Sequence, residues 1–210
     1  IYGPNAGAFG MEPWHASIQD AYELLQGKKF EMQNYPMWEK ESLKDEEHPL
    51  AAYHVTEPFV LHTNKKEGKS FKIEGRLLGG CLDCLSHLRG TKFDKVKEFN
   101  QKYEDDGILW FLESCDLNVF EMRRTLWSLK QAGWFDTCRG FLIGRPGVQG
   151  QIIAGLDQYE AVLSILSEFD VPIFMDLDIG HVAPMIPLIC GSYGKVTVVG
   201  NDCCIAMSLQ

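Results

Sequence analysis

Gly107-Ile108-Leu109-Trp110-Phe111-Leu112-Glu113 is a continuous apolar run that closes on a carboxylate. Without polar alternation, such a run reads as a strand buried on both faces, the habit of parallel sheets covered by helices. An unpaired buried charge is expensive, so Glu113 at its end needs a partner. In open α/β sheets the carboxyl ends of the strands are where ligands and reactive groups collect. A second apolar run, Val171-Pro172-Ile173-Phe174-Met175-Asp176-Leu177-Asp178-Ile179, leads into Gly180-His181. A glutamate and a histidine at the ends of two buried strands form a candidate acid–base pair.

Strand and helix patterns alternate around these runs. Trp14–Gln26 carries Ile18, Ala21, Leu24 and Leu25 at helical spacing and stops at Gly27. Asn118–Ala132 does the same through Met122, Leu126 and Leu129, and Gly133 ends it. Asp157–Phe169 opens with Asp157 and Glu160 in a capping-box spacing. Phe141–Gly144 is a short buried strand, and Lys195–Val199 with Cys203–Met207 reads as a terminal hairpin. The alternation from about residue 73 to 177 defines an α/β layered domain. Between Lys28 and Lys69, Pro36, Pro49, Pro58 and many polar residues break the pattern. That segment is expected to be a linker or long exposed connection, with one short strand at Phe59–His62.

Two glycines, Gly79-Gly80, lie between an apolar strand end and the helical run that begins at Cys81-Leu82 and closes at Gly90-Thr91. They allow a close backbone approach, or simply a tight strand-to-helix turn. The Gly-Lys-Ser/Thr ending of a phosphate-binding loop is missing. Ile1-Tyr2-Gly3-Pro4 reads as a strand end and a turn, and no Met opens the chain. The expectation is a piece of a longer protein.

The 210 residues are 45% apolar and 23% charged, an ordinary globular composition, and the net charge of −9 argues against a nucleic-acid polymer as partner. No apolar run approaches the roughly 18 residues of a membrane span. Seven cysteines, an odd number with no leader pattern before them, lead to the expectation of a reducing, cytoplasmic location. Cys81 and Cys84 form a C-x-x-C, but Cys203-Cys204 lacks the spacing of a second ligand pair.

Each candidate has an alternative. Glu113 either works chemically, or caps the following helix or pairs with Arg123 or Arg124. His181 is either an acid–base group or a hydrogen-bonded loop histidine. Asp176, Asp178 and His181 could instead hold a metal. A glutamate–histidine pair is half of a hydrolase, because the carboxylate fixes the imidazole tautomer while the imidazole shuttles a proton. No Gly-x-Ser-x-Gly elbow supplies the nucleophile. Ser114 follows Glu113 directly, which sends the two side chains to opposite faces of the strand.

Taken in order, Gly79-Gly80-Cys81-Leu82, Gly90-Thr91, Leu112-Glu113, the helix through Arg123-Arg124 with Ala132-Gly133-Trp134-Phe135, Gly140-Phe141-Leu142-Ile143-Gly144-Arg145 and Gly180-His181 form a pattern. It resembles the C-terminal domain of the LD-carboxypeptidases, including the related microcin C immunity peptidases. Tyr2-Gly3-Pro4 is similar to a segment near the end of that family's N-terminal domain. The resemblance implies residues 1–64 as the tail of the N-terminal nucleophile domain plus linker, and 65–210 as the C-terminal α/β domain. It implies a Ser-Glu-His serine peptidase with Glu113 and His181 as the matching triad members and the serine upstream of Ile1. It further implies no metal or other cofactor, a cytoplasmic homodimer, and a small substrate: a murein tetrapeptide with an L,D bond, or a peptidyl- or aminoacyl-nucleotide in the immunity branch. Cys81 stands where the family carries an asparagine that helps hold substrate in some relatives, so Gly80 and Cys81 are candidate substrate-binding residues. Trp38 lies in the region where immunity peptidases place a base-stacking tryptophan, although an ordinary packing role is equally open. A non-catalytic ligand-binding module on the same scaffold is the alternative that the cysteine raises.

Overall fold

In the structure, a computed structural model that describes residues 1–65 and 70–209, Ile108–Glu113 is a strand with every residue buried. Ile108, Trp110 and Leu112 enter one hydrophobic cluster, whereas Leu109 and Phe111 enter another. Successive strand side chains point to opposite faces, so this strand lies in the middle layer.

In chain order the elements are α1 (Ala16–Leu25), β1 (Glu31–Gln33), β2 (Met37–Trp38), β3 (Glu57–Pro58), β4 (His62–Thr63), β5 (Ser70–Cys81), α2 (Leu82–Leu88), α3 (Val96–Lys102), β6 (Ile108–Glu113), α4 (Val119–Gln131), β7 (Cys138–Gly144), α5 (Gln158–Leu166), β8 (Ile173–Leu177), β9 (Tyr193–Val199) and β10 (Asp202–Ser208). The main sheet has eight strands in the order β1-β10-β9-β5-β6-β7-β8-β4. β5 to β8 are parallel neighbours. β9, β10 and β1 extend one side antiparallel, and β4 closes the other. Helices α4 and α5 cover one face through Met122, Leu126, Leu129, Val162 and Ile165. The opposite face packs on Leu24 of α1, Met32 of β1, and Ile186 and Leu188 of the loop before β9.

Local chemistry starts the covering helices. Asn118 accepts from the backbone N–H groups of Phe120 and Glu121, while the Glu121 carboxylate accepts from the Asn118 N–H, a full capping box. Asp157 accepts from Glu160 N–H at the start of α5.

Three expectations change. The glycine pair lies inside β5 rather than in a turn: Gly79 has φ +156°, and a Cβ there would collide with the Phe111 carbonyl oxygen of β6. The close approach is therefore to the neighbouring strand. The segment expected to be an exposed connection instead supplies both sheet edges, β1 and β4, and buries Met32 and Phe59. Its ladders are two or three residues long, too short to leave a periodic signature. The strand expected at Phe59–His62 is replaced by β3 and β4 on either side of Phe59, and the stretch 66–69 of that connection lies outside the described residues. Helix α3 carried no recognised signal: its N-cap residue Lys95 makes no side-chain cap, and Asp94 Oδ1 accepts from Val96 N–H at 3.3 Å.

One irregularity aims the sheet's carboxyl end. Leu142 pairs with Phe174 but Gly144 with Leu177, so β8 holds one extra residue. Asp176 takes φ +63° there. Ile173 and Met175 face the helical side, Phe174 the other; after the bulge, Leu177 also faces the other. The bulge thus reverses the alternation just before the loop that carries His181. Among the described residues, no helix is long and apolar enough to cross a membrane.

Candidate active site

Cys81 and Glu113 end β5 and β6, and the parallel register sets them opposite each other. Glu113 is 1% exposed. Its Oε1 accepts a hydrogen bond from the Tyr2 hydroxyl, and its Oε2 lies 2.9 Å from Nδ1 of His181. These two partners compensate the burial of the carboxylate. Neither alternative partner engages it: Asn118 caps α4, Arg123 donates to Ser164 Oγ, and the Arg124 guanidinium lies over the Phe120 ring.

His181 is half exposed and borders a hollow of about 700 Å³ whose walls include Tyr2, Lys40, Tyr53, Cys81, Asp83 and Asp116. When Nδ1 donates to Glu113, Nε2 is left as the ring's acceptor. The arrangement can orient an imidazole and stabilise it on taking up a proton.

The loop that delivers His181 is fixed by a buried ion pair. Arg145, just past β7, pairs through Nη2 with Asp178 Oδ1, and both are almost fully buried. Arg145 Nη1 also donates to the Asp176 carbonyl at 2.5 Å. Asp178 Oδ2 accepts from Tyr35 N–H at 2.7 Å, and the Asp178 carbonyl accepts from Ile186 N–H at 2.6 Å. Burial draws the Arg145 pKa down to about 10, against the opposing pull of Asp176.

The Asp176, Asp178 and His181 set does not converge, because each is engaged separately. Asp176 accepts from Tyr159 Oη at 2.7 Å and from Gln158 Nε2 at 3.2 Å, and lies 2.7 Å from His62 Nδ1. The bulge turns its side chain toward α5, so the metal expectation for that trio fails on geometry. A different trio does cluster: one ligand atom each from Cys81, Glu113 and His181, all within 4.8 Å of one another.

Burial, then the Glu113 charge, pushes the Cys81 thiol well above its ordinary range and keeps it protonated. Burial and the hydrogen bond to Glu113 likewise keep the Tyr2 phenol protonated and donating. Asp83 is held below the usual carboxylate range; burial opposes this, but the Asp116 and Cys115 backbone donors and the Cys81 thiol outweigh it. Gly80 is next to the cluster, and the first group a side chain there would meet is the Tyr2 ring, 3.7 Å from an ideal Cβ.

Trp38 stands apart from the Glu113–His181 pair. It lines a second hollow of about 580 Å³ with His62, Arg145, Tyr159 and Asp176, and the Arg145 guanidinium is 5.2 Å from its ring centre. Lys40 and Gln149 border both hollows, which therefore adjoin. The seven cysteines are free thiols.

Two contributors escaped the sequence reading. Tyr2 registered only within a strand end and turn and the family-like Tyr2-Gly3-Pro4 segment, and nothing local marks its hydroxyl for a residue far along the chain. Arg145 and Asp178 each appeared in a motif, yet only burial of both identifies them as a pair.

A family model described as the LD-carboxypeptidase C-terminal domain matches residues 74–196. A Treponema pallidum (strain Nichols) protein named "Putative carboxypeptidase" is 26% identical over 222 aligned positions, covering 100% of this chain and 58% of the relative. The chain spans about half the length of the curated relatives it matches. Among solved structures, MccF in complex with glutamyl sulfamoyl guanosine superposes with a TM-score of 0.75 at 20% identity, covering 99% of this chain and 60% of that one. A muramoyltetrapeptide carboxypeptidase from Oxalobacter formigenes superposes with a TM-score of 0.64 at 16% identity, covering 96% of this chain and 57% of that one. At these identities the structural likeness concerns the fold.

Proposed function

The chain belongs to the LD-carboxypeptidase family, and from that premise we propose that it supplies the glutamate and histidine of a Ser-Glu-His serine carboxypeptidase. The 2.9 Å contact between Glu113 Oε2 and His181 Nδ1 carries this reading. Glu113 holds the imidazole in the tautomer whose Nε2 can accept a proton, and stabilises the imidazolium that follows. The serine is supplied by a nucleophile domain preceding Ile1, while the sheet that β1 and β4 edge belongs to the C-terminal domain that carries Glu113 and His181.

The serine hydroxyl loses its proton to His181 Nε2 as its oxygen attacks the scissile carbonyl. His181 then returns that proton to the departing amine, leaving an acyl-serine. Water reverses the sequence and frees the enzyme. The substrate is a small peptide with an L,D bond, of the murein tetrapeptide class, and the enzyme works as a cytoplasmic homodimer.

A second reading takes the immunity branch, with a peptidyl- or aminoacyl-nucleotide as substrate. Trp38 favours it, since an aromatic ring beside a hollow that adjoins the Glu113–His181 cleft can stack a base.

The test is turnover by the protein extended upstream of Ile1, compared with the 210-residue chain. Release of a terminal D-amino acid from a murein tetrapeptide by the extended protein alone supports the first reading. Cleavage of an aminoacyl-nucleotide instead supports the second. Full activity of the 210-residue chain would overturn an external serine, and an extended protein that binds these compounds but never cleaves them would leave a binding module.

A further inference from the structure

We propose that Cys81, Glu113 and His181 form a binding site for a thiophilic divalent cation of the zinc class. The three ligand atoms already lie within 4.8 Å of one another. A tetrahedral zinc ion places sulfur, nitrogen and oxygen ligands about 3.3–3.6 Å apart, so the site forms by small closures. Cys81 and Glu113 are fixed in register at the ends of adjacent parallel strands. His181 is half exposed on a loop and is the ligand free to adjust.

The surroundings fit a cation better than they fit a bare thiol. Cys81 Sγ donates to Asp83 Oδ2 at 3.3 Å, and Asp83 and Asp116 border the same hollow. Tyr2 donates to Glu113 Oε1 and so holds the carboxylate, the kind of outer support that metal ligands use. A thiolate and an imidazole select zinc-like ions over magnesium or calcium. The hollow leaves a fourth position to water. On binding, the Cys81 thiol proton passes to solvent, and the His181 ring proton moves from Nδ1 to Nε2 so that Nδ1 can ligate.

The binding stands independently of the catalytic reading; its consequence rests on that reading. An ion on Nδ1 breaks the pairing with Glu113 and places the ring proton on Nε2, where a base is required. Zinc would therefore switch the hydrolase off, and a chelator would restore it.

Calorimetry of the purified 210-residue chain with Zn²⁺, in buffers of differing ionisation enthalpy, tests the site. One ion per chain with proton release is expected, and Co²⁺ should give a thiolate charge-transfer band in the near ultraviolet. Cys81→Ser and His181→Ala should each weaken binding by more than about 100-fold, beyond what loss of an outer support costs, whereas Cys190→Ser at an exposed thiol should not. Absence of stoichiometric binding, or binding kept by both variants, overturns the proposal. His181→Ala decides alone if Cys81→Ser does not fold. Zinc binding that leaves turnover of the extended protein untouched would uphold the site and count against the catalytic reading.

Discussion

Gly180 lies so close to Glu113 that an ideal Cβ at position 180 would sit 2.5 Å from the Glu113 Cγ. Its backbone is at φ +111°, a conformation that only glycine adopts without strain. The glycine preceding His181 is thus what lets the loop reach the carboxylate. Gly180→Ala is expected to cost about 2–4 kcal/mol through strain and overpacking, read by urea denaturation. A neutral result would remove the close approach.

Arg145→Met leaves Asp178 buried without its ion-pair partner and should destabilise the chain by about 3–5 kcal/mol. Arg145→Met combined with Asp178→Asn keeps an acceptor for Tyr35 N–H and removes the stranded charge, so it should recover much of that loss. Chemical denaturation of the two proteins checks this; a double variant as unstable as the single one contradicts it.

His15 caps α1 by accepting from Ser17 N–H, and burial lowers its pKa below 6.5, partly offset by Asp20. The folded state therefore holds the His15 proton more weakly than the unfolded chain does. This contribution is complete above the unfolded value and is lost as pH falls through the folded one. Stability should fall as pH is lowered through the ordinary histidine range and below it, and His15→Asn, which keeps a capping acceptor, should flatten that slope. An unchanged slope excludes His15 as the source.

Tyr2→Phe removes one of the two partners of the Glu113 carboxylate and is expected to cost about 1.5–3 kcal/mol. The same substitution should loosen His181, visible as a broadened imidazole signal by NMR. A native-like signal with unchanged stability would show that Glu113 needs only His181.

The sequence made the middle of the sheet legible because β6 buries both faces, leaving no polar residue between Ile108 and Leu112 to obscure it. The starts of α4 and α5 were equally open, since Asn118 and Asp157 act on neighbours three positions away. The meeting of Glu113 and His181 could be anticipated from where two apolar runs stop. What stayed hidden depends on tertiary placement. β1 and β4 are too short to show periodicity and exist because β10 and β8 offer open edges. The phase reversal at Asp176 is invisible in a run that reads as an uninterrupted strand. Tyr2 needs the whole fold to reach Glu113.

The most direct test measures hydrolysis of a murein tetrapeptide by the protein extended upstream of Ile1, with Glu113→Gln and His181→Ala beside the unaltered enzyme. Each substitution should lower kcat on the order of 10³–10⁴-fold, and the double variant should lose little more, as expected of groups that act as a unit. Either single variant turning over within a few-fold of the unaltered enzyme would contradict the account.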